Sequence, residues 1–278
     1  MKTGAHQIKI GLMGCGSMGA ELARCVGPGG VKNATVAALF DSDAARANAL
    51  SAALPSRPVV CASIPALLAI HGLDLVIECA SQSAVKAHGP AIMNAGKSLL
   101  LMSSGALLDP GTYAAMTTAA ELTGAEIMVP SGAVGGIDAL RAVRKYLESV
   151  TLVSTKKPAA LSGAPGFAEY EGREIKTPVV VFEGNAVEAV NLFPANVNVA
   201  ATVSLAGIGP EKTQVRVVAD PDSPGNVHEI RATGGFGEFS FKLVNRPHPD
   251  NPKTSHLAVL AAIETLRSIA EPGLRIGT

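Results

Sequence analysis

Gly14-Cys15-Gly16-Ser17-Met18-Gly19 spells G-x-G-x-x-G. Alone the pattern says little, because Gly numbers 29 in 278 residues. Its context is what carries weight. It follows the apolar run Ile8 to Met13 and opens a helical stretch at Ser17, as a dinucleotide-binding turn requires. Gly14 suits the tight turn, Gly16 lets backbone approach a pyrophosphate, and Gly19 allows close helix–strand packing. Ser17 and Met18 then lie at a helix N-terminus, whose N–H groups and positive dipole end favour phosphate. Asp41 ends the second apolar run, where a carboxylate accepts hydrogen bonds from ribose hydroxyls and repels a 2′-phosphate. NAD is therefore expected over NADP, with Arg46 nearby softening the preference enough to admit NADP. The bland alternative is a ligand-free glycine turn with a helix-capping Asp. Glu78-Cys79-Ala80-Ser81 and Ser103-Ser104-Gly105 stand at later strand ends and should line the same crevice, with Ala80 a cofactor contact.

His228 is the candidate for proton transfer. Strand alternation puts it on the face of Ile230 and Ala232, opposite Glu229 and Arg231. An inward imidazole suits general acid/base work because its pKa is near neutral and easily tuned. The same pattern also suits a hydrogen-bonded core histidine. Pro130-Ser131-Gly132-Ala133-Val134-Gly135-Gly136 allows close backbone approach to a ligand. Phe193-Pro194-Ala195-Asn196-Val197-Asn198-Val199 sets two Asn in an apolar run, where each needs a partner: as a helix cap, or on a cofactor amide or substrate.

The elements that must position these residues follow from periodicity. Up to about residue 130, short apolar runs alternate with helical stretches, implying a parallel sheet covered on both faces. Asp109-Pro110 caps one helix and Gly96 ends another. Beyond residue 150 the strands Thr151–Ser154, Val179–Phe182, Thr213–Ala219, Val227–Thr233 and Glu238–Val244 are expected, the last three as an antiparallel meander through turn sequences. Asn251-Pro252 is expected to start the final helix. The fold class is thus α/β: an N-terminal Rossmann-type dinucleotide-binding domain over 1–137, and a C-terminal α+β substrate and dimerisation domain over 138–250 with a mostly antiparallel sheet. The helix in 251–278 is expected to pack back on the first domain.

Composition narrows the class. Lys+Arg and Asp+Glu both number 23, giving net charge +0, and aromatics are 4% with no Trp. Neither a basic surface for nucleic acid nor a base-stacking platform is expected. Hydrophobic residues at 47% and charged residues at 17% exclude bulk disorder. No apolar run is long enough for a membrane span. The opening MKTGAHQIKIGLMG lacks a signal core, so a cytoplasmic location is expected. Cys15, Cys25, Cys61 and Cys79 form no C-x-x-C pair, so neither a disulfide framework nor a metal site is expected.

The segments GLMGCGSMG, PSGAVGGIDAL, FPANVNVAATVSLAG, VHEIRATGGFGEF and NPKTSHLAVLA together resemble the L-aspartate dehydrogenase family, along nearly the whole chain. The resemblance implies that His228 is the catalytic histidine and that Ala133 and Asn198 contact the cofactor near the nicotinamide. It also implies a homodimer, an active site between the domains, and a product that feeds the quinolinate route to NAD. The reaction implied is oxidative deamination of L-aspartate to iminoaspartate and oxaloacetate, with ammonia used in reverse. Two carboxylates need cationic or N–H donors. Lys253, Thr254 and Ser255, at the expected helix start, are the first candidates, with Lys156, Lys157 and Arg231 as alternatives. Two other readings keep the same architecture: a nicotinamide dehydrogenase for another amino or oxo acid, and a non-catalytic NAD(H)-binding redox sensor.

Overall fold

A computed structural model describes residues 7–194 and 198–274, apart from the side chains of residues 251–253. The chain divides between Pro130 and Ser131, and from Val259 onward it rejoins the first unit. The dividing point thus lies earlier than the expected 137, and the PSGAVGG segment from Ser131 onward goes with the second unit.

The first unit alternates β1 (Ile8–Met13), α1 (Ser17–Arg24), β2 (Ala34–Phe40), α2 (Ala44–Ala53), β3 (Val59–Val60), α3 (Ile64–Leu68), β4 (Leu75–Glu78), α4 (Gln82–Asn94), β5 (Ser98–Leu101), α5 (Pro110–Thr123) and β6 (Ile127–Met128). The strands make one parallel sheet in the order β3-β2-β1-β4-β5-β6. Strand order reverses between β1 and β4, and such a switch point opens a crevice at the strand carboxyl ends. The helix starts obey their local chemistry: Asp43, Ser63, Ser81 and Asp109 each accept a backbone N–H at an N-terminus. Gly124 ends α5 in the left-handed region at φ 74°.

The second unit contains α6 (Ile137–Val143), β7 (Leu147–Lys156), α7 (Pro158–Leu161), β8 (Val179–Asn185), α8 (Ala186–Leu192), α9 (Asn198–Ala206), β9 (Gln214–Ala219), β10 (Asn226–Gly234), β11 (Gly237–Asn245), β12 (Pro247–His248) and β13 (Asn251–Ser255), followed by α10 (His256–Ala270). Its main sheet runs β11-β10-β7-β9-β8. All neighbours are antiparallel except β7 and β9. The expected three-strand meander is therefore wrong in one link: β10 and β11 form a hairpin, but β7 separates β10 from β9. A turn sequence such as 220–225 reverses the chain without choosing its neighbour. Here the Asp220 N–H bonds the Lys156 carbonyl at 2.9 Å, so the turn begins beside β7.

The last helix starts later than expected. Asn251-Pro252 lies in β13, paired antiparallel with β12, and α10 begins at His256. Tertiary bonds override the local cap signal. The Asn226 amide donates to Ser255 Oγ at 3.2 Å across the unit, while within the preceding turn the Asp250 N–H donates to His248 Nδ1 at 3.1 Å. Further on, Val259, Ala262, Ile263, Leu266 and Ala270 recur at helical spacing and join Ile10, Leu12, Leu22 and Leu39 in the first unit's core.

Candidate functional site

In the first unit the three glycines separate by role. Gly14 has φ +100°, and a Cβ there would sit 2.6 Å from the Cys79 carbonyl. A Cβ at residue 19 would collide with the Gly14 carbonyl oxygen. These two glycines are demanded by packing. At Gly16 a Cβ would meet nothing within 4 Å, so packing within the fold does not demand glycine there. Gly16 is also the N-cap of α1, and no side chain caps that helix. Ser17 and Met18 form its first turn. Open space before uncapped N–H groups fits a pyrophosphate.

Asp41 follows β2 and is bonded into the turn: its carboxylate accepts the Cys15 N–H at 2.6 Å and the Asp43 N–H at 2.8 Å. Arg46 pairs with Asp43 at 3.2 Å, both largely exposed. Burial, then the Asp41 charge, push the Cys15 thiol up to about 12, so it is inert. Ala80 donates its N–H to Glu78 Oε1 at 2.7 Å. The fully buried Glu78 also accepts the Ser103 hydroxyl at 2.9 Å and the Ser103 N–H at 2.9 Å. Burial raises its pKa, against those hydrogen bonds. Sequence reasoning noted Glu78 only as a strand end. Its role as a clamp joining the ends of β4 and β5 needed coordinates.

In the second unit His228 is buried on the inner face of β10 with Ile230 and Ala232, as alternation requires. Its Nδ1 lies 3.1 Å from Ser154 Oγ on β7, directly across the pairing. Burial and the Lys156 charge lower the imidazole to about 3, so it is neutral at physiological pH. Lys156 is 3% exposed, and burial lowers its ammonium to about 8. Of the three alternative cations, Arg231 is exposed and paired with Glu229, and Lys157 is exposed. Lys156 alone of them faces inward.

Two buried carboxamides complete this end of the sheet, and sequence reasoning missed both. Asn226 and Asn245 are paired residues on β10 and β11. Asn245 donates to the Ala133 carbonyl at 3.0 Å, tying the PSGAVGG segment to the strand that neighbours His228. A signal was available: Asn226 and His228 share strand parity. Beside Asn226 opens a cavity of about 430 Å³ lined by Lys157, Ala159, Ala160, Pro224 and Pro247. Asn198 begins α9, half-buried, and its carbonyl accepts the Thr202 hydroxyl at 3.3 Å. Asn196 lies outside the described residues, as does the Lys253 side chain. Thr254 is half-buried and Ser255 buried, both in a strand. The helix-dipole argument for residues 253–255 therefore fails. Among the described residues no cluster could hold a metal ion, and no helix is long and apolar enough to cross a membrane.

A parallel sheet with this strand order, a glycine turn open to phosphate and an appended mostly antiparallel sheet define a two-domain oxidoreductase that uses a nicotinamide cofactor. The family described as homoserine dehydrogenase, NAD binding domain, matches residues 14–130, and that described as aspartate dehydrogenase, C-terminal, matches residues 138–269. The L-aspartate dehydrogenase of Methanosarcina acetivorans is 45% identical, over 98% of this chain and 100% of the relative. That of Nitrosopumilus maritimus is 42% identical, over 97% and 99%. The crystal structure of aspartate dehydrogenase from Thermotoga maritima superposes with a TM-score of 0.76 at 27% identity, covering 98% of this chain and 100% of that one. The chain belongs to the L-aspartate dehydrogenase family.

Proposed function

We propose that this protein oxidatively deaminates L-aspartate to 2-iminosuccinate, which water converts to oxaloacetate and ammonia, and that it also runs the reverse reductive amination. The observation that carries this reading is His228, neutral and inward beside the Lys156 charge, in a chain whose full-length relatives are L-aspartate dehydrogenases. When bound, the nicotinamide supplies the acceptor for the Cα hydride. The α-ammonium must first lose a proton, because the nitrogen lone pair drives hydride departure. In the tautomer that donates Nδ1–H to Ser154 Oγ, His228 presents a lone pair at Nε2 and takes that proton, or takes one from the water that attacks the imine.

Gly14, Gly16, Ser17, Met18 and Gly19 hold the pyrophosphate, Asp41 the adenosine ribose, and Ala80, Ala133 and Asn198 the nicotinamide end. NAD is the preferred cofactor, since the Asp41 carboxylate repels a 2′-phosphate. Thr254 and Ser255 remain candidates for the substrate, together with Lys253. The protein works as a cytoplasmic homodimer, and its imine product feeds the quinolinate route. Sedimentation at assay concentration checks the dimer; a lone monomer overturns it. Initial rates with NAD and a panel of amino acids check the reaction, by NADH formation. Aspartate is expected to lead. Glutamate or alanine turned over as well as aspartate overturns the reading.

A further inference from the structure

Lys156 is the sole lysine or arginine in the buried set among the described residues. Its position in the sheet says what that charge is for. Lys156 and Ser154 share the inner face of β7, and Ser154 stands across from His228. Val227 pairs with Thr155, and the next inward positions on the two strands beyond His228 and Ser154 are Asn226 and Lys156. Asn245 continues that row on β11, and Ala219 continues it on β9. Beyond His228, in the other direction, the floor is Ile230, Leu152, Ala232 and Val150, all buried and apolar. One end of an apolar sheet face thus carries a cation, two carboxamides and an imidazole. Residues two apart on one strand face are about 6.6 Å apart. A four-carbon stem spans that easily, so a small molecule held at Lys156 Nζ brings a neighbouring amine to His228.

We propose that the Lys156 ammonium receives a carboxylate of the substrate, and so makes the site selective for a dicarboxylate. The proposal rests on the aspartate reading above. It also bears on the proton transfer in that reading. Burial, and after it the cation beside His228, push protons off the imidazole. A carboxylate on Lys156 offsets the part due to the cation, so the histidine becomes a stronger base once substrate is in place.

The test compares the full-length protein with Lys156→Met and Lys156→Arg. Aspartate turnover by the wild type tests the reading itself, and its absence defeats that reading whatever the variants do. Given turnover, Lys156→Met is expected to raise the KM for aspartate and the inhibition constant of succinate, a dicarboxylate without an amine, each at least about tenfold. Lys156→Arg is expected to recover part of both, and NADH is expected to raise the melting temperature of all three proteins alike. Unchanged succinate inhibition in Lys156→Met overturns the proposal. Loss of the NADH-induced shift in Lys156→Met also overturns it, since the lysine is then a structural element of the fold.

Discussion

His228 and Asp41 are both held by hydrogen bonds the protein supplies itself, and that decides what their removal does. His228 is packed on a sheet face with one ring nitrogen at Ser154. His228→Ala is expected to lower kcat at least about 100-fold, the low end for a lost general base. NADH affinity, measured by fluorescence titration, should stay unchanged, because the glycine turn belongs to the other unit. Full activity in the variant would refute the catalytic role. Asp41→Asn keeps an acceptor for the Cys15 or Asp43 N–H but removes the charge. The ratio of kcat/KM for NADP to that for NAD should rise at least about tenfold. An unmoved ratio would show that charge at Asp41 does not set the cofactor.

At the scale of elements, the β1–α1 turn makes a prediction that separates fold from ligand. Gly19→Ala forces a methyl into the Gly14 carbonyl, and backbone cannot move aside cheaply. The melting temperature should drop by several degrees. Gly16→Ala adds a methyl to open space at φ −68°, a backbone that alanine adopts freely. Its melting temperature should match the wild type, while NADH binding weakens at least about tenfold where the pyrophosphate approaches. Equal thermal losses in the two variants would contradict the assignment of roles. The β12–β13 pair and α10 teach the converse. Asn251-Pro252 is a sound helix-start signal, yet the Asn226–Ser255 bond and the pairing with β12 hold it extended.

For the molecule as a whole, two terms set stability. The first is the return of α10 to the first unit, where Leu266 is fully buried. Leu266→Ala should cost about 2–5 kcal/mol of unfolding free energy, measured by urea titration. A loss near zero would mean the helix is dispensable to that core. The second is proton linkage. The His228 pKa falls from an ordinary 6.5 to about 3 in the fold, so between those values the unfolded chain binds the extra proton. Stability from this group is fully present above pH 6.5 and is lost as pH falls toward 3. Glu78, with its raised pKa, acts in the opposite sense in the acid range. His228→Gln should therefore show a shallower decline in melting temperature between pH 6.5 and pH 4 than the wild type. Parallel declines would refute the linkage.

Local rules were enough for most of the first unit. Apolar runs bounded by capping residues and glycines state where strands and helices begin, because backbone sterics and capping bonds act within a few residues. They also placed the glycine turn before α1 and the inward face of His228, since turn chemistry and strand parity are local properties. Beyond residue 150 the same rules located the strands but not their neighbours. Pairing order depends on backbone bonds between residues far apart in sequence, so the insertion of β7 between β9 and β10 could not be read from turns. The surroundings of the candidate site lay beyond local rules for the same reason. Nothing near Lys156 in sequence marks it as buried; the packed face of its sheet does. Asn245 becomes a partner of the Ala133 segment, Asn226 of Ser255 and Ser154 of His228 only when distant segments align. Chemical type and local geometry were thus determined by sequence. Which charges are stripped of water, and beside whom, was decided by tertiary structure, because desolvation and electrostatics depend on neighbours the chain brings from afar.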